Sequence, residues 1–492
     1  MRRSASSFAA SIFIGISRGS PIRSAPELGA ERAGGAGIAT EPHIQCHAFP
    51  LCGLRRDSLA RGFLENMIPR QNPAHFAYFL FFTKFLAFIS YTAYSPFHWN
   101  PLGSVRRSIR RPRAGKRARL IKTGRIMLES EIFCVPMSGP GDVSQLAALF
   151  DSGTLDPRHI VAIMAQTEGD PYCRGYATLA TETLLSERLG ISRQEVFDSI
   201  PMLMIGGVGG IMTPHNNVFV KKPASAPAAG GKRLSLGVAG TRILQPEEYG
   251  TAIQVQLVAD AVREAMKDAG ISDPADIECV EIKCPAMTPA RVAEAQGRGA
   301  RVVNANPVAA SSMAKGACAL GVAIATGELK ADQVSDGVIN VDKSLYSSVA
   351  STSAGGEQVA CRVVVVGNVE GAPSRFVASR GVMSDQLDVV GARKAFANAG
   401  LALEDGIVTE ESRKRVTTVF VNAGADSVSA VRGNRHVLHS DFLAPFGGIQ
   451  AKGVAHAVVA SVLGDTLFLA SAGAEHQGAP GSNLMCVIAE AN

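Results

Sequence analysis

A chain of 492 residues, 46% hydrophobic and 19% charged, can bury a large core and hold roughly two to four domains. Its nine cysteines show no C-x-x-C pair and no regular framework, which argues against a disulfide-built scaffold and reads as reduced thiols of a cytosolic protein. The net charge of +6 is uneven: residues 1–126 carry 20 Lys and Arg against 5 Asp and Glu, and residues 127–492 carry 29 against 38, which argues against nucleic acid as a partner of the second part.

Residues 1–126 hold an arginine-rich run, "RRSIRRPRAGKRARLIK", and an aromatic run, "HFAYFLFFTKFLAFISYTAY", with Lys84 in its middle. The aromatic run is about long enough to span a bilayer. Three readings stand side by side: a translated upstream region that is no part of the working protein, a disordered or membrane-associating leader, and a folded domain. Met127 comes just before "LESEIFCVPMSGPGD", where globular patterning begins, and is a plausible start. The folded protein is therefore expected to begin at 127.

Along 127–492 three features recur in the same order. An apolar strand-like run ends on a polar residue: "HIVAIMAQTEG" on Gln166, "IECVEIKCPA" on Lys283 and "VTTVFVNAGA" on Asn422. A cation followed by glycine then heads a small-residue helix: Arg174 in "CRGYATLATETLL", Lys315 in "AKGACALGVAIATG" and Lys452 in "AKGVAHAVVASVLG". A further strand ends in a small-residue turn: Ile205-Gly206-Gly207, Ser353-Ala354-Gly355 and Ser471-Ala472-Gly473. Amphipathic helices fit between them. "QVQLVADAVREAMKDAG" (254–270) puts Val255, Leu257, Val258, Ala261, Val262, Ala265 and Met266 on one face, and "VVGARKAFANAGL" does the same near the end.

This is the pattern of a divergent triplication, with units over 127–230, 231–370 and 371–492. Strands alternate with helices, so the class is α+β. Three related units around a pseudo-threefold axis predict a central β-barrel with helices outside. The three strand-end residues, three cations and three turns would meet at its centre, in a site suited to a small, flat ring.

The motifs "GDVSQLAALFDSG", "HIVAIMAQTEGD", "KRLSLGVAGTR", "PEEYG", "VEIKCPAMTPARV", "SSVASTSAGGE", "VRGNRH" and "SAGAEHQGAPG", in order over 127–492, resemble the ring-opening amidohydrolases. That family includes cyanuric acid amidohydrolase and barbiturase. The resemblance implies three subdomains around a barrel, hydrolysis of a C–N bond in a cyclic amide, serine–lysine pairs, three cations on the ring oxygens, and a tetramer. Carried over, one pair is intact, Lys283 with Ser353. In the first, Gln166 stands for lysine and Ile205 for serine; in the third, Asn422 stands for lysine and Ser471 remains. Arg174, Lys315 and Lys452 are the implied cations, with Ile205, Gly206, Ser353, Ala354, Ser471 and Ala472 at the substrate. The loop 474–482, "AEHQGAPGS", resembles a structural metal loop, but Gly424 stands where an acidic side chain is expected, so a divalent cation there is possible but doubtful and no other cofactor is implied.

A lysine ending an apolar strand either snorkels to solvent or is chemistry. Kept neutral by burial and by Lys315 and Lys452, Lys283 could take the proton of Ser353 as that hydroxyl attacks a ring carbonyl. Ser353 could instead be a turn serine, and Ser471, without its lysine, reads as structural or substrate-binding. The substrate is expected to be neither cyanuric nor barbituric acid, because the pairs are no longer equivalent; a non-catalytic ring-binding protein, or a barbiturase-like enzyme, is the alternative. "GGVGGIM" lacks dinucleotide spacing, His436 and His439 lack a partner cluster for zinc, and Cys284 should face away from Lys283 and pack.

Overall fold

The computed structural model describes residues 127–492 apart from 170, 207–209, 226–229, 425–429 and 436–446. Residues 1–126, Gly207, His436 and His439 lie outside the described residues.

Residues 128–223 form β1 (Leu128–Pro136), α1 (Ser144–Asp151), β2 (Ile160–Thr167), α2 (Pro171–Leu189), α3 (Arg193–Ser199), β3 (Met202–Gly206) and β4 (His215–Pro223). Residues 232–370 form β5 (Lys232–Gly240), α4 (Ala252–Ala269), β6 (Ile277–Pro285), α5 (Pro289–Gly297), α6 (Pro307–Thr326), β7 (Ala350–Gly355) and β8 (Arg362–Glu370). The last stretch forms β9 (Phe376–Met383), α7 (Val389–Asn398), a short hairpin of β10 (Leu403–Glu404) and β11 (Ile407–Val408), α8 (Glu410–Arg415) and β12 (Val416–Ala423). A second short hairpin, β13 (Ala430–Val431) with β14 (Asn434–Arg435), precedes α9 (Gly447–Leu463), β15 (Leu469–Ala472) and β16 (Asn483–Glu490).

Three four-stranded sheets result, in the orders β1-β4-β2-β3, β5-β8-β6-β7 and β9-β16-β12-β15. Each places its strands first-fourth-second-third, with the second and third parallel. A parallel step needs a crossover, which α2, α6 and α9 help to supply. Each second strand also slips register against the fourth near its start, between Ile160 and Ala162, Ile277 and Cys279, and Val416 and Thr418.

Alternation along the strands feeds two kinds of core. Ile163 and Ala165, Val280 and Ile282, and Val419 and Val421 face the helices of their own stretch. Met164, Cys279 and Phe420 turn the other way, into one apolar interior shared by all three sheets. There Phe219 of the first sheet stacks on Phe420 of the third at 6.2 Å. Outside, α4 buries Val255, Val258, Ala261, Val262, Ala265 and Met266 as its periodicity predicts, adds Ala259, leaves Leu257 half-buried, and ends where Gly270 adopts φ 72°. Close approach explains Gly237 on β5: a methyl there would collide with the Ala265 carbonyl oxygen of α4. Helix α6 is long and apolar enough to cross a bilayer, but most of it lies in the interior beside α4 and β7.

The expected closed barrel is a correction. The strands hydrogen-bond as separate sheets, and at the seams side chains take the place of ladders. Ser130 Oγ accepts from Leu236 N–H at 3.2 Å, and Asn368 bonds both the N–H and the carbonyl of Ala378. Gln166 Oε1 accepts from Ala470 N–H at 2.7 Å. Bulky inward side chains such as Met164, Phe219 and Phe420 fill the shared interior, so the sheets meet face to face through a core rather than edge to edge along continuous ladders.

Candidate active site

The parallel pairs bring the strand-end residues opposite the turns: Gln166 lies across from Ile205, Lys283 from Ser353, and Asn422 from Ser471. All are at the carboxyl ends of their strands, the usual place for a ligand in parallel pairing. One open cavity of about 690 Å³ is lined by Lys283, Ser353 and Ala354, by Ile205, Gly206, Ser471 and Ala472, and by Arg174, Lys315 and Lys452. The sequence-derived site residues are thus brought together.

Lys283 is 1% exposed, and its Nζ donates to the Met204 carbonyl at 2.7 Å. Burial, above all, pushes its amine below the ordinary lysine range; Glu357 opposes this, while Arg174 and Lys315 reinforce it. The expected neighbours were Lys315 and Lys452, so Arg174 replaces Lys452 in that role. Cys284 points the other way, into the helix-side core. Ser353 is half-buried beside Lys283.

The cations are presented differently from expectation. Arg174 and Lys452 lie in the first two turns of α2 and α9, but Lys315 is more than two turns inside α6. That helix starts earlier because Asn306 caps it, accepting from the N–H groups of Val308 and Ala309, with Pro307 at its first position. A dipole penalty for a cation at a helix start therefore does not apply to Lys315. Lys315 pairs instead with Glu475 at 2.6 Å, and Ser312 donates to the same carboxylate at 2.7 Å. Burial alone would raise Glu475, but Lys315 and Ser312 outweigh it and hold the carboxyl below its usual range. Arg174 lies against Gly206, where a methyl would come within 2.6 Å of Nη1.

Glu475, Ser312, Met287 and Val308 also line the cavity and were not picked out from the sequence. A signal for Glu475 existed: "SAGGE" and "SAGAE" place Glu357 and Glu475 four residues after Ser353 and Ser471. Ile205 reaches the cavity but is 3% exposed, so its bulk goes mostly into the shared interior. The two amides are engaged structurally. Gln166 Nε2 donates to the Ile205 carbonyl at 3.2 Å, and Asn422 Nδ2 donates to Gln477 Oε1 at 3.0 Å.

At the loop 474–482, the carbonyl oxygens of Gly473, Gln477 and Ser482 converge on Gly424, at 3.3, 3.5 and 2.6 Å from where its Cβ would stand. Nearby, Glu475 is held by Lys315, and His476 Nε2 accepts from Asn340 N–H. Hard divalent ions take oxygen ligands, carboxylate and backbone carbonyl alike. Among the described residues no group of His, Cys, Asp and Glu suits a metal, so the loop offers backbone carbonyl oxygens as its donors.

The model of a family described as amidohydrolase ring-opening protein matches residues 131–490. The chain belongs to the ring-opening amidohydrolases. These are hydrolases acting on cyclic amides. This member is 42% identical over 359 residues to a cyclic amide hydrolase of Azorhizobium caulinodans, covering 72% of this chain and 98% of that one. It is 38% identical over 371 residues to a cyanuric acid amidohydrolase of Pseudomonas sp. strain ADP, covering 74% and 100%. A solved cyanuric acid hydrolase, described as an evolutionary innovation by structural concatenation, superposes with a TM-score of 0.70 at 38% identity, over 74% of this chain and all of that one. A cyanuric acid hydrolase structure from A. caulinodans gives 0.66 at 34% identity, over 74% and 99%. The mixed α and β fold of this amidohydrolase is therefore that of its solved relatives.

Proposed function

We propose that this amidohydrolase opens a cyclic amide or imide ring with Ser353 as nucleophile and Lys283 as base. One observation carries the reading: of the three strand-end pairs, Lys283 with Ser353 alone joins an amine to a hydroxyl. Neutral Lys283 takes the Ser353 proton as Oγ attacks a ring carbonyl. Backbone N–H groups of the 353–355 turn hold the oxyanion. The C–N bond breaks as the ammonium of Lys283 returns the proton to the ring nitrogen, leaving an ester. Water then attacks the ester carbonyl, giving one proton to Lys283, and the ester C–O bond breaks as Lys283 passes that proton to the Ser353 oxygen, which frees the Ser353 hydroxyl, neutral Lys283 and a carboxylic acid. Arg174, Lys315 and Lys452 face the ring oxygens, with Ile205, Gly206, Ala354, Ser471 and Ala472 around the ring. Side chains, backbone N–H groups and water carry every step, and the proposed reaction requires no cofactor.

The substrate on this reading is neither cyanuric nor barbituric acid. Cyanuric acid presents three equivalent carbonyls, whereas here an arginine, a lysine paired with Glu475 and another lysine meet one serine–lysine pair. Met287, Val308 and Pro307 add an apolar side to the cavity, which favours a less symmetric ring with a hydrocarbon edge. We further propose that the three sheets descend from one triplicated unit with pseudo-threefold symmetry, supported by their common strand order and register slips. The enzyme is read as a cytosolic homotetramer that binds neither nucleic acid nor membrane through 127–492.

A second reading, a non-catalytic ring-binding protein, draws on the structural use of Gln166 and Asn422. A chain starting at Met127 decides between them when tested on cyanuric acid, barbituric acid, hydantoins, uracils, succinimide and maleimide. The enzyme predicts that one ring opens and that Lys283→Ala and Ser353→Ala each abolish opening. Binding by thermal shift with no opening supports the second reading. Rapid opening of barbituric acid would instead make the protein barbiturase-like.

A further inference from the structure

The strand-end side chains reach across the seams in a cycle. Lys283 of the second sheet donates to the carbonyl of Met204, the residue before Ile205 in the first. Gln166 of the first accepts from the N–H of Ala470, the residue before Ser471 in the third. Asn422 of the third completes the cycle indirectly. Its Nδ2 donates to Gln477 Oε1 at 3.0 Å, and the same oxygen accepts from the N–H of Thr352, the residue before Ser353, at 2.6 Å. Asparagine is one methylene shorter than glutamine and cannot span the seam alone, so a second amide extends it.

We propose that Asn422 and Gln477 form a positioning relay that fixes the backbone beneath Ser353, so that the third strand-end residue serves the second pair. The proposal rests on Ser353 being the nucleophile. Both side chains are buried, at 2% and 1% exposure, so water does not compete for the shared oxygen. The loop that carries Gln477 is also laced to the chain entering β7: Ser347 N–H donates to the His476 carbonyl at 2.9 Å, and Gly478 N–H to the Ser347 carbonyl at 2.8 Å. Gly473 leaves the space that the Gln477 amide occupies, since a methyl there would collide with Nε2. The relay therefore grips β7 at both its approach and its active end. A small displacement of an attacking oxygen costs rate far more than ground-state binding, which is what a positioning residue controls.

The test compares Gln477→Met, which keeps the bulk and loses the acceptor, with Gln477→Glu, which still accepts from Thr352 and Asn422, and with the milder Asn422→Ala. Hydrogen–deuterium exchange of peptides covering 350–354 needs no substrate. Function is read as kcat, KM and the acid limb of kcat/KM on whichever ring the wild type opens, and as the rate of Ser353 labelling by a fluorophosphonate. Gln477→Met is expected to speed exchange at 350–354 at least tenfold and to lower kcat or labelling about ten- to a hundredfold, with KM within about twofold and the acid limb unmoved. Asn422→Ala should show the same changes in smaller degree, and Gln477→Glu, which keeps the acceptor but sets a carboxylate beside Glu475, should exchange more slowly than Gln477→Met. Wild-type exchange or wild-type kcat and labelling in Gln477→Met overturns the relay; if that variant fails to fold, Asn422→Ala decides by the same readouts. If Ser353→Ala retains turnover, the nucleophile assignment fails even where Gln477→Met exposes Thr352. If Ser353→Ala is dead while Gln477→Met behaves as wild type, the relay alone fails.

Discussion

Lys283 and Glu281 stand two residues apart on one strand and face the same interior, and pH acts on them in opposite ways. Lys283 must be neutral to act as a base, and its amine is pushed down by burial, with help from Arg174 and Lys315 against Glu357. Activity should therefore rise with pH through the lowered lysine value. Lys315→Met removes one depressing charge and leaves the Glu475 carboxylate unpaired, so the acid limb of kcat/KM should move to higher pH; a limb that stays put denies Lys283 the base role. Glu281 is 2% exposed, and burial raises its carboxyl from 4.5 to about 7, despite bonds from Ser351 and Cys279. The native state keeps that proton longer than the unfolded chain does. Stability from this group is fully present below about pH 4.5 and is lost as pH rises to about 7, a cost on the order of 3 kcal/mol. Glu281→Gln should remove that loss, so urea unfolding at pH 8 should show the variant gaining on wild type relative to pH 5. The pairing of Lys283 with Ser353 was legible only through the family resemblance: the repeats put each residue at a strand end, but no periodicity gives the register that sets them opposite each other. The Glu475–Lys315 pair was not, because it joins residues 160 apart through a loop whose path no periodicity encodes.

At the scale of elements, periodicity located helices well and their starts less well. Helix α4 spans 252–269 where its pattern predicts 254–270. Helix α6 begins well before Lys315 because a capping asparagine and a proline outweigh the cation–glycine pair that the repeats emphasise. The register slips in β2, β6 and β12 left no mark in the alternation, since a bulge shifts pairing without changing which residues are apolar. The packing of α4 on β5 offers a sharp test. Gly237→Ala would drive a methyl into the Ala265 carbonyl, and helix and sheet must separate to admit it. Overpacking of this kind costs about 1–3 kcal/mol, more where the obstacle is backbone. A chemical-denaturation midpoint equal to wild type would show that α4 shifts freely on the sheet.

The whole molecule turns on whether its three four-stranded sheets behave as three domains or as one. Sequence repeats made the strand ends and the helices between them legible, but not the division into three sheets or what holds those together. A barrel was the natural expectation from pseudo-threefold symmetry, yet seams bridged by Ser130, Asn368 and Gln166 carry few backbone bonds between sheets. Cohesion then falls to the interior that Met164, Cys279 and Phe420 share across all three sheets. Phe420 is 2% exposed and stacks on Phe219 from another sheet, so Phe420→Ala removes contacts that belong to no single stretch. Such a truncation costs about 3–5 kcal/mol. If the stretches were independent domains, only the third would be weakened and calorimetry would show a split transition, with the lower peak belonging to residues 376–490. Because the core is shared, the expected result is one transition moved as a whole to lower temperature, with turnover at low temperature lost only as that transition is approached. The same logic explains why the active site can depend on all three sheets at once: its cations and turns come from different stretches, and the common interior keeps them in register.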